Sequence, residues 1–293
     1  MPAAAAVIEA EPGSGAETGR GIRGHLHLVC APDSRGVPIL REQSFRAPIH
    51  LSKPHLDEGA LVVNVVNPTA GLLEGDRIEQ NVRVQSGARL LLTCPSASRA
   101  HRVRNGWSAV SQTFRVEAGG ALEVLPEMFI PQAGACYRQS TRVEVECGGE
   151  LLFFESLAPG RVASGEVFEY GSLDWRTDLI FGGRPIVRER YCLEPGSDSI
   201  QALRRVFPTA YYGSVLAVGR GWEVEAEIWQ EILGLQSSSL WVGVSPLGMD
   251  GAWSLKWIAA DALTLRATTS KVRAALYRRM RRQAPDLRRV CAR

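Results

Sequence analysis

The chain has 293 residues, enough for one large domain or two ordinary ones, and 45% of them are apolar, which supports a sizeable core. The formal net charge is +3, and no window approaches the roughly 18 uncharged apolar residues of a membrane helix, so no helical span is expected. The charge is uneven: nine Lys/Arg against one Asp from Lys271 to Arg293 give +8, which leaves −5 on the other 270 residues. A basic tail on an acidic body fits a partner surface better than a nucleic-acid groove, whose binder spreads basic residues over a face.

Residues 1–20 are rich in Ala, Gly, Pro and Glu, with neither a basic start nor a long apolar run, and read as a disordered tail and a poor secretory signal. Residues 21–293 read as a single domain. Gly24–Ala31 alternates His25 and His27 against Leu26 and Leu28, a strand pattern. A His-x-His pair on one strand face can hold a metal, but with no third ligand nearby it reads as an exposed polar face. Gln43–Pro54 carries His50, and His55 follows close to Asp57 and Glu58. The apolar run Leu61–Val66 is then interrupted by NPTAGLLEGDRIE (Asn67 to Glu79) before Asn81–Leu92 resumes. Pro68 cannot donate to a ladder, while Gly71 and Gly75 can take positive φ. The chain therefore leaves one strand, makes a tight excursion bearing Glu74, Asp76 and Glu79, and enters another.

Ser111–Gly120 alternates Phe114 and Val116 against Arg115 and Glu117, and Ala121–Pro131 follows a Gly-Gly turn. Ser140–Glu150 is the clearest strand, with Thr141, Val143, Val145 and Cys147 on one side and Arg142, Glu144 and Glu146 on the other. It ends at Gly148-Gly149, and with Leu151–Ser156 it reads as a hairpin. Leu173–Phe181 and Pro185–Leu193 repeat that logic about Gly182-Gly183. No helical pattern of roughly 10–15 residues separates these strands, which argues against βαβ units. The predicted fold class is mainly β, an antiparallel two-sheet β architecture with a minor helical part of about two helices. One helix is predicted over Val224–Leu233, stopped by Gly234, and the runs Ser238–Ser245 and Ala252–Ala260 read as strands. The other helix is predicted over Ser270–Ala284, N-capped by Thr/Ser before Lys271 and ended near Pro285. Val272, Leu276 and Met280, with Ala275 beside them, form its apolar stripe, and arginines including Arg279 fill the rest.

There is no Walker A, GxGxxG, GxSxG or HExxH pattern. The six cysteines form no CxxC pair and read as reduced thiols of a cytosolic protein, Cys94 among them as a small buried or edge residue. Four carboxylates draw notice: Asp76 after Gly75, Glu166 in ASGEVF, Glu127 in LPEMFIP and Glu155 at the end of the LLFF run. Acids beside glycine are usually turn chemistry. A carboxylate ending an apolar strand can instead line a wet interior, where oxygen ligands pass on a divalent ion such as nickel. Two other function classes remain open: a β-scaffold enzyme with Asp76 and Glu166 as acid/base pair, and an RNA- or DNA-binding protein acting through the Arg-rich C-terminal helix.

Four segments, in order, resemble the urease accessory protein D family (UreD/UreH). NPTAGLLEGDRI is similar to its glycine-rich GD segment, and LLLTCPSASRAHRV (Leu90–Val103), GGALEVLPEMFIPQAGA (Gly119–Ala135) and GRVASGEVFEYG (Gly160–Gly171) to three further ones. The resemblance covers roughly Gly21 to Arg289. Glu74, Ser96, Arg99 and His101 depart from the family pattern, which bears on the details of an ion path. The resemblance implies an all-β fold of two sheets with a minor helical part, and a noncatalytic cytoplasmic scaffold that binds UreF, which recruits the GTPase UreG, and docks on apo-urease. It implies no permanently bound cofactor, transient Ni²⁺, no nucleic acid and no membrane. Nickel would cross a water-filled tunnel, with Asp76 and Glu166, joined by Glu127 and Glu155, as the expected path. Val272, Leu276, Met280 and Arg279 are the expected partner-binding residues.

Overall fold

The computed structural model describes residues 21–69, 71–219, 222 and 227–287. The expected tail over 1–20 and the start of the helix expected at Val224 lie outside the described residues. The first strands are β1 (Arg23–Pro32), β2 (Pro38–Arg46), β3 (His50–Leu51), β4 (His55–Asp57) and β5 (Ala60–Val66). Then come β6 (Arg77–Val84), β7 (Arg89–Thr93), β8 (Ser98–Ala100), β9 (Ser108–Val116), β10 (Ala121–Leu125) and β11 (Phe129–Pro131). They are followed by β12 (Cys136–Val145), β13 (Glu150–Leu157), β14 (Ser172–Phe181) and β15 (Arg184–Leu193). The rest is α1 (Asp198–Val206), β16 (Tyr211–Val218), α2 (Glu227–Leu233), β17 (Leu240–Pro246), β18 (Ala252–Ala259) and α3 (Ala262–Arg279).

From β5 to β14 the chain crosses repeatedly between two sheets. In the first sheet β1, β6, β9, β12 and β14 lie side by side and parallel; in the second β5, β7, β10 and β13 do the same. Antiparallel strands flank both runs: β2 and β15 on the first sheet, β3 and β4 at one end of the second, and β16, β18 and β17 at the other. The architecture is mainly β but its sheets are mixed, so the purely antiparallel expectation is corrected. Parallel neighbours need a long crossover, usually a helix. Here the crossover is a strand of the opposite sheet, so the absence of a helical pattern between strands does not bar parallel pairing. The result is a flattened solenoid, each coil resting on the one before it. Its corners stack: Gly87 N donates to Gly119 O at 3.1 Å, and Gly119 N to Gly148 O at 3.0 Å. Gly148-Gly149 is thus a corner between sheets rather than the expected hairpin, whereas Gly182-Gly183 does join the antiparallel pair β14 and β15.

Side-chain alternation divides the core in two. Leu151 and Phe153 of β13 face the first sheet, while Leu152 and Phe154 face the opposite way, toward α2 and α3. α3 lies on that outer face with Leu265, Val272, Ala275 and Leu276 buried. It starts eight residues before the expected Ser270, because Asp261 caps it, Oδ1 accepting from Thr264 N at 2.8 Å. Thr268 and Thr269 instead donate to the carbonyls of Thr264 and Leu265 within the helix. α1 had no sequence expectation; Ile200 and Leu203 turn its inner side to the inter-sheet core.

Candidate functional site in the inter-sheet seam

Inward-facing strand positions are normally apolar in a two-layer β core. One cross-strand row of the first sheet breaks this rule. Gln80, Gln112, Thr141, Thr177 and Glu189 are register partners in succession on β6, β9, β12, β14 and β15. They share a phase with apolar Val82, Phe114, Val143, Leu179 and Val187, so all of them point between the sheets. Gln112 Nε2 donates to Gln80 Oε1 at 3.3 Å, Thr141 Oγ1 to Gln112 Oε1 at 3.0 Å, and Gln139 Nε2 to Thr141 Oγ1 at 3.3 Å.

Glu155 faces this row from β13 and is 7% exposed. Its Oε1 accepts from Trp175 Nε1 at 2.7 Å and from Gln139 Nε2 at 3.2 Å. Burial pushes its carboxyl up to about 7, the Trp175 hydrogen bond pulls it down, and the Glu189 charge raises it again. Beside Glu155 the second sheet continues the polar row through Ser214 to Lys256. Lys256 Nζ lies 2.6 Å from Glu189 Oε1 at the half-exposed end of the seam.

Two cavities follow the seam, and a third adjoins the first from the outer side of the second sheet. The first, about 160 Å³, reaches from Gln80 and Gln112 to Glu155, with Cys94 and Arg99 also on its wall. The second, about 120 Å³, is bounded by Phe168, Tyr170, Tyr191 and Tyr212 and shares Glu155, Ser156 and Trp175 with the first. The third, about 280 Å³, lies under α3 and shares Thr93, Pro126, Glu127 and Ser156 with the first. Each has room for water; the first and third have polar walls that supply the partners buried water needs, whereas the second is lined almost wholly by apolar surface. Glu155 therefore lies on the wall shared by the first and second cavities and Glu127 on that shared by the first and third, where Arg266 Nη2 approaches Glu127 Oε2 to 3.0 Å.

Asp76 and Glu166 are placed differently, and neither lines these cavities. Asp76 is 3% exposed; its Oδ1 accepts from Ile22 N and its Oδ2 from Leu73 N, both at 2.8 Å. Glu166 takes Ala133 N at 3.0 Å and clasps Arg161, whose guanidinium holds its carboxyl below the usual range. Both fix the loops at one rim of the solenoid. Leu72 N donates to Arg99 O, Val103 N to Gly134 O and Gly134 N to Glu169 O, so the four segments singled out in the sequence are consecutive turns of that rim. Gly71, at φ +140°, passes so near this stack that a Cβ would lie 2.7 Å from Arg99 O. Glu74 also has a place: its carboxylate accepts from Arg104 N at 2.7 Å and Asn105 N at 3.2 Å.

The expected partner residues are largely internal. Val272 and Leu276 are both 0% exposed against the second sheet, Met280 is half-buried, and Arg279 is half-buried. Arg278 pairs with Glu231, Arg282 with Glu150, and Arg273 with Glu123. His25 and His27 meet Ser44 and Glu42 on the outer face, and no group of three metal-ligating side chains occurs among the described residues. Cys30, Cys94, Cys136, Cys147 and Cys192 are free thiols. Among the described residues no helix is long and apolar enough to cross a membrane.

The family model described as UreD urease accessory protein matches residues 23–292. The chain belongs to this family. A urease accessory protein UreD of Opitutus terrae is 41% identical over 272 residues, 91% of this chain and 98% of its own length. UreD proteins of Pseudomonas entomophila and Pseudomonas putida are 35% and 34% identical over 55% and 59% of this chain, and 58% and 62% of their own lengths. The rim segments and the seam thus belong to a UreD chain, and urease-related partners follow from the accessory role of its family.

Proposed function

We propose that this UreD chain is a noncatalytic scaffold of urease maturation in the cytoplasm. It works with UreF and UreG homologues on apo-urease and conducts Ni²⁺ along the inter-sheet seam to the urease active site. The observation that carries this reading is the sequence of three cavities with shared walls, Glu155 between the first and the second and Glu127 between the first and the third. A transit path needs sites an ion can leave. Amide, hydroxyl and single-carboxylate oxygens bind nickel weakly, unlike a closed His/Cys cage. Asp76 and Glu166 serve the path by holding its rim loops in place. An acid/base enzyme built on Asp76 and Glu166 finds little support, because each carboxylate is committed to backbone amides or to Arg161. A nucleic-acid binder finds little either, because Arg273, Arg278 and Arg282 are matched to acids of the body.

The reading is tested by co-expressing urease subunits, UreF, UreG and this chain, then measuring nickel per urease active site. Glu155→Ala is expected to assemble normally and deliver less nickel. Full loading by Glu155→Ala would remove the central carboxylate from the path.

A further inference from the structure

The end of the seam nearest β15 and β18 holds an arrangement that transit alone does not require. Glu155 on the second sheet and Glu189 on the first face the same interior, and Glu189 raises the Glu155 carboxyl. The Thr177 hydroxyl, register partner of Glu189, is buried beside them; it makes no hydrogen bond of ordinary geometry, yet it is near enough to Glu155 to pull its carboxyl down. The second cavity meets the first at Glu155 and extends along Tyr191 and Tyr212. Tyr191 Oη donates to Glu189 Oε2 at 2.8 Å and stands 2.8 Å from Tyr212 Oη. Beside these carboxylate and hydroxyl oxygens, behind the largely apolar wall of the second cavity, stands the Lys256 ammonium, 2.6 Å from Glu189 Oε1 and 5.5 Å from the Tyr191 ring centroid. Its stem projects inward from β18 on the same face as Ser254 and Ile258, although its strand is next to last in the sheet and water lies close by. A salt bridge open to solvent adds little stability, so a lysine turned inward here has another use.

We propose that the Lys256 ammonium is a tethered competitor of the cargo cation: a divalent ion binds between Glu155 and Glu189, with the Thr177 hydroxyl as a further oxygen ligand, only by displacing Lys256 from Glu189. The inference rests on the reading that a divalent cation uses the seam, and it adds what keeps that site weak. With Lys256 in place Glu189 is already neutralised and an entering ion must expel an equivalent charge. When Lys256 swings outward, the site holds the ion; when it returns, the ion is driven on. Removing the ammonium leaves Glu189 unpaired in a half-buried place, a cost that a bound divalent ion relieves.

The test uses the full chain and NiCl₂ in equilibrium dialysis. Lys256→Met is expected to bind one Ni²⁺ at least about tenfold more tightly than the wild type, Lys256→Arg to resemble the wild type, and Lys256→Met/Glu189→Gln to lose the gain. Equal affinity for Lys256→Met and wild type overturns the proposal, as does a gain that survives Glu189→Gln. A second measurement needs no variant. The chain has only three lysines, Lys53, Lys256 and Lys271. Acetylation read by mass spectrometry is expected to speed up several-fold at Lys256 when Ni²⁺ is added, with Lys53 and Lys271 unchanged; an unchanged Lys256 rate overturns the displacement. The two readings fail separately. If Glu155→Ala stops urease loading while Lys256→Met leaves nickel binding alone, the path stands without its competitor. If Lys256→Met tightens binding while Glu155→Ala loads urease fully, the cation site stands and its part in delivery falls.

Discussion

The buried triad that pins α3 to the second sheet gives a prediction whose size follows from the geometry. Arg273 approaches Glu123 through two hydrogen bonds, Nε to Oε1 at 2.5 Å and Nη2 to Oε2 at 3.0 Å. Tyr277 Oη donates to the same Oε2 at 2.6 Å, and Arg273 Nη1 to Pro285 O at 3.1 Å. The charged side chains are only 9% and 5% exposed. Removing one partner strands a buried charge, which costs about 3–5 kcal/mol. That is a large share of the roughly 5–15 kcal/mol of a typical folded chain. Glu123→Gln and Arg273→Ala are each expected to lose that much. The apolar replacement Glu123→Leu/Arg273→Met/Tyr277→Phe leaves no unpaired group on these three side chains, and is expected to fall within about 2 kcal/mol of the wild type. The assay is urea unfolding followed by tryptophan fluorescence, since Trp222, Trp229 and Trp253 report the core beneath α3. A loss below about 1 kcal/mol for either single variant, or a triple variant as unstable as the singles, would refute the reasoning.

Asp76→Ala leaves the amides of Ile22 and Leu73 without their acceptor in a buried place, at about 1–3 kcal/mol for each unsatisfied group; urea unfolding should show the loss, and an unchanged midpoint would make Asp76 a plain turn residue. Glu155→Gln should change the pH dependence of stability. In the folded chain Glu155 keeps its proton up to about pH 7 instead of the ordinary 4.5. The fold therefore binds more protons than the unfolded chain between those values, and its stability falls as pH rises through that window. Gln carries no such cost, so Glu155→Gln should gain up to roughly 3 kcal/mol over the wild type at pH 8 and little at pH 4; parallel curves at both pH values would contradict it.

The β content and the strand positions were legible because apolar and polar residues alternate cleanly in runs such as Thr141–Val145. The parallel coils were legible too, but through a signal of another kind. VQSGARLLL, VEAGGALEVL and VECGGELLFF place Gly87, Gly119 and Gly148 at intervals of 32 and 29 residues, one corner per coil. Read one at a time, each Gly pair looks like a hairpin turn. The seam was hidden for a related reason. Gln112 precedes Phe114 by two residues and Gln139 and Thr141 precede Val143, so polar groups occupy the apolar phase, and only the register shows that they align into one row. Glu155 stood out at the end of the LLFF run and Glu127 within LPEMFIP, and both meet the cavities. Asp76 and Glu166 stood out equally, yet the amides of Ile22 and Leu73 claim the first and the Ala133 amide and the Arg161 guanidinium the second, partners that residue type and glycine neighbours do not reveal. The terminal stripe of Val272 and Leu276 was recognised as apolar, but that it covers the second sheet, β16 and the immediately preceding β18 included, appears only in the fold.

Ser156 borders all three cavities, so a larger side chain there obstructs the path while leaving every carboxylate in place. The direct measurement is nickel per urease active site after activation with Ser156→Leu, with complex assembly and urea unfolding followed alongside. A path through the seam predicts normal assembly, a fold within about 3 kcal/mol of the wild type, and urease left largely without nickel. Full nickel loading by a folded, assembled Ser156→Leu complex would contradict the account.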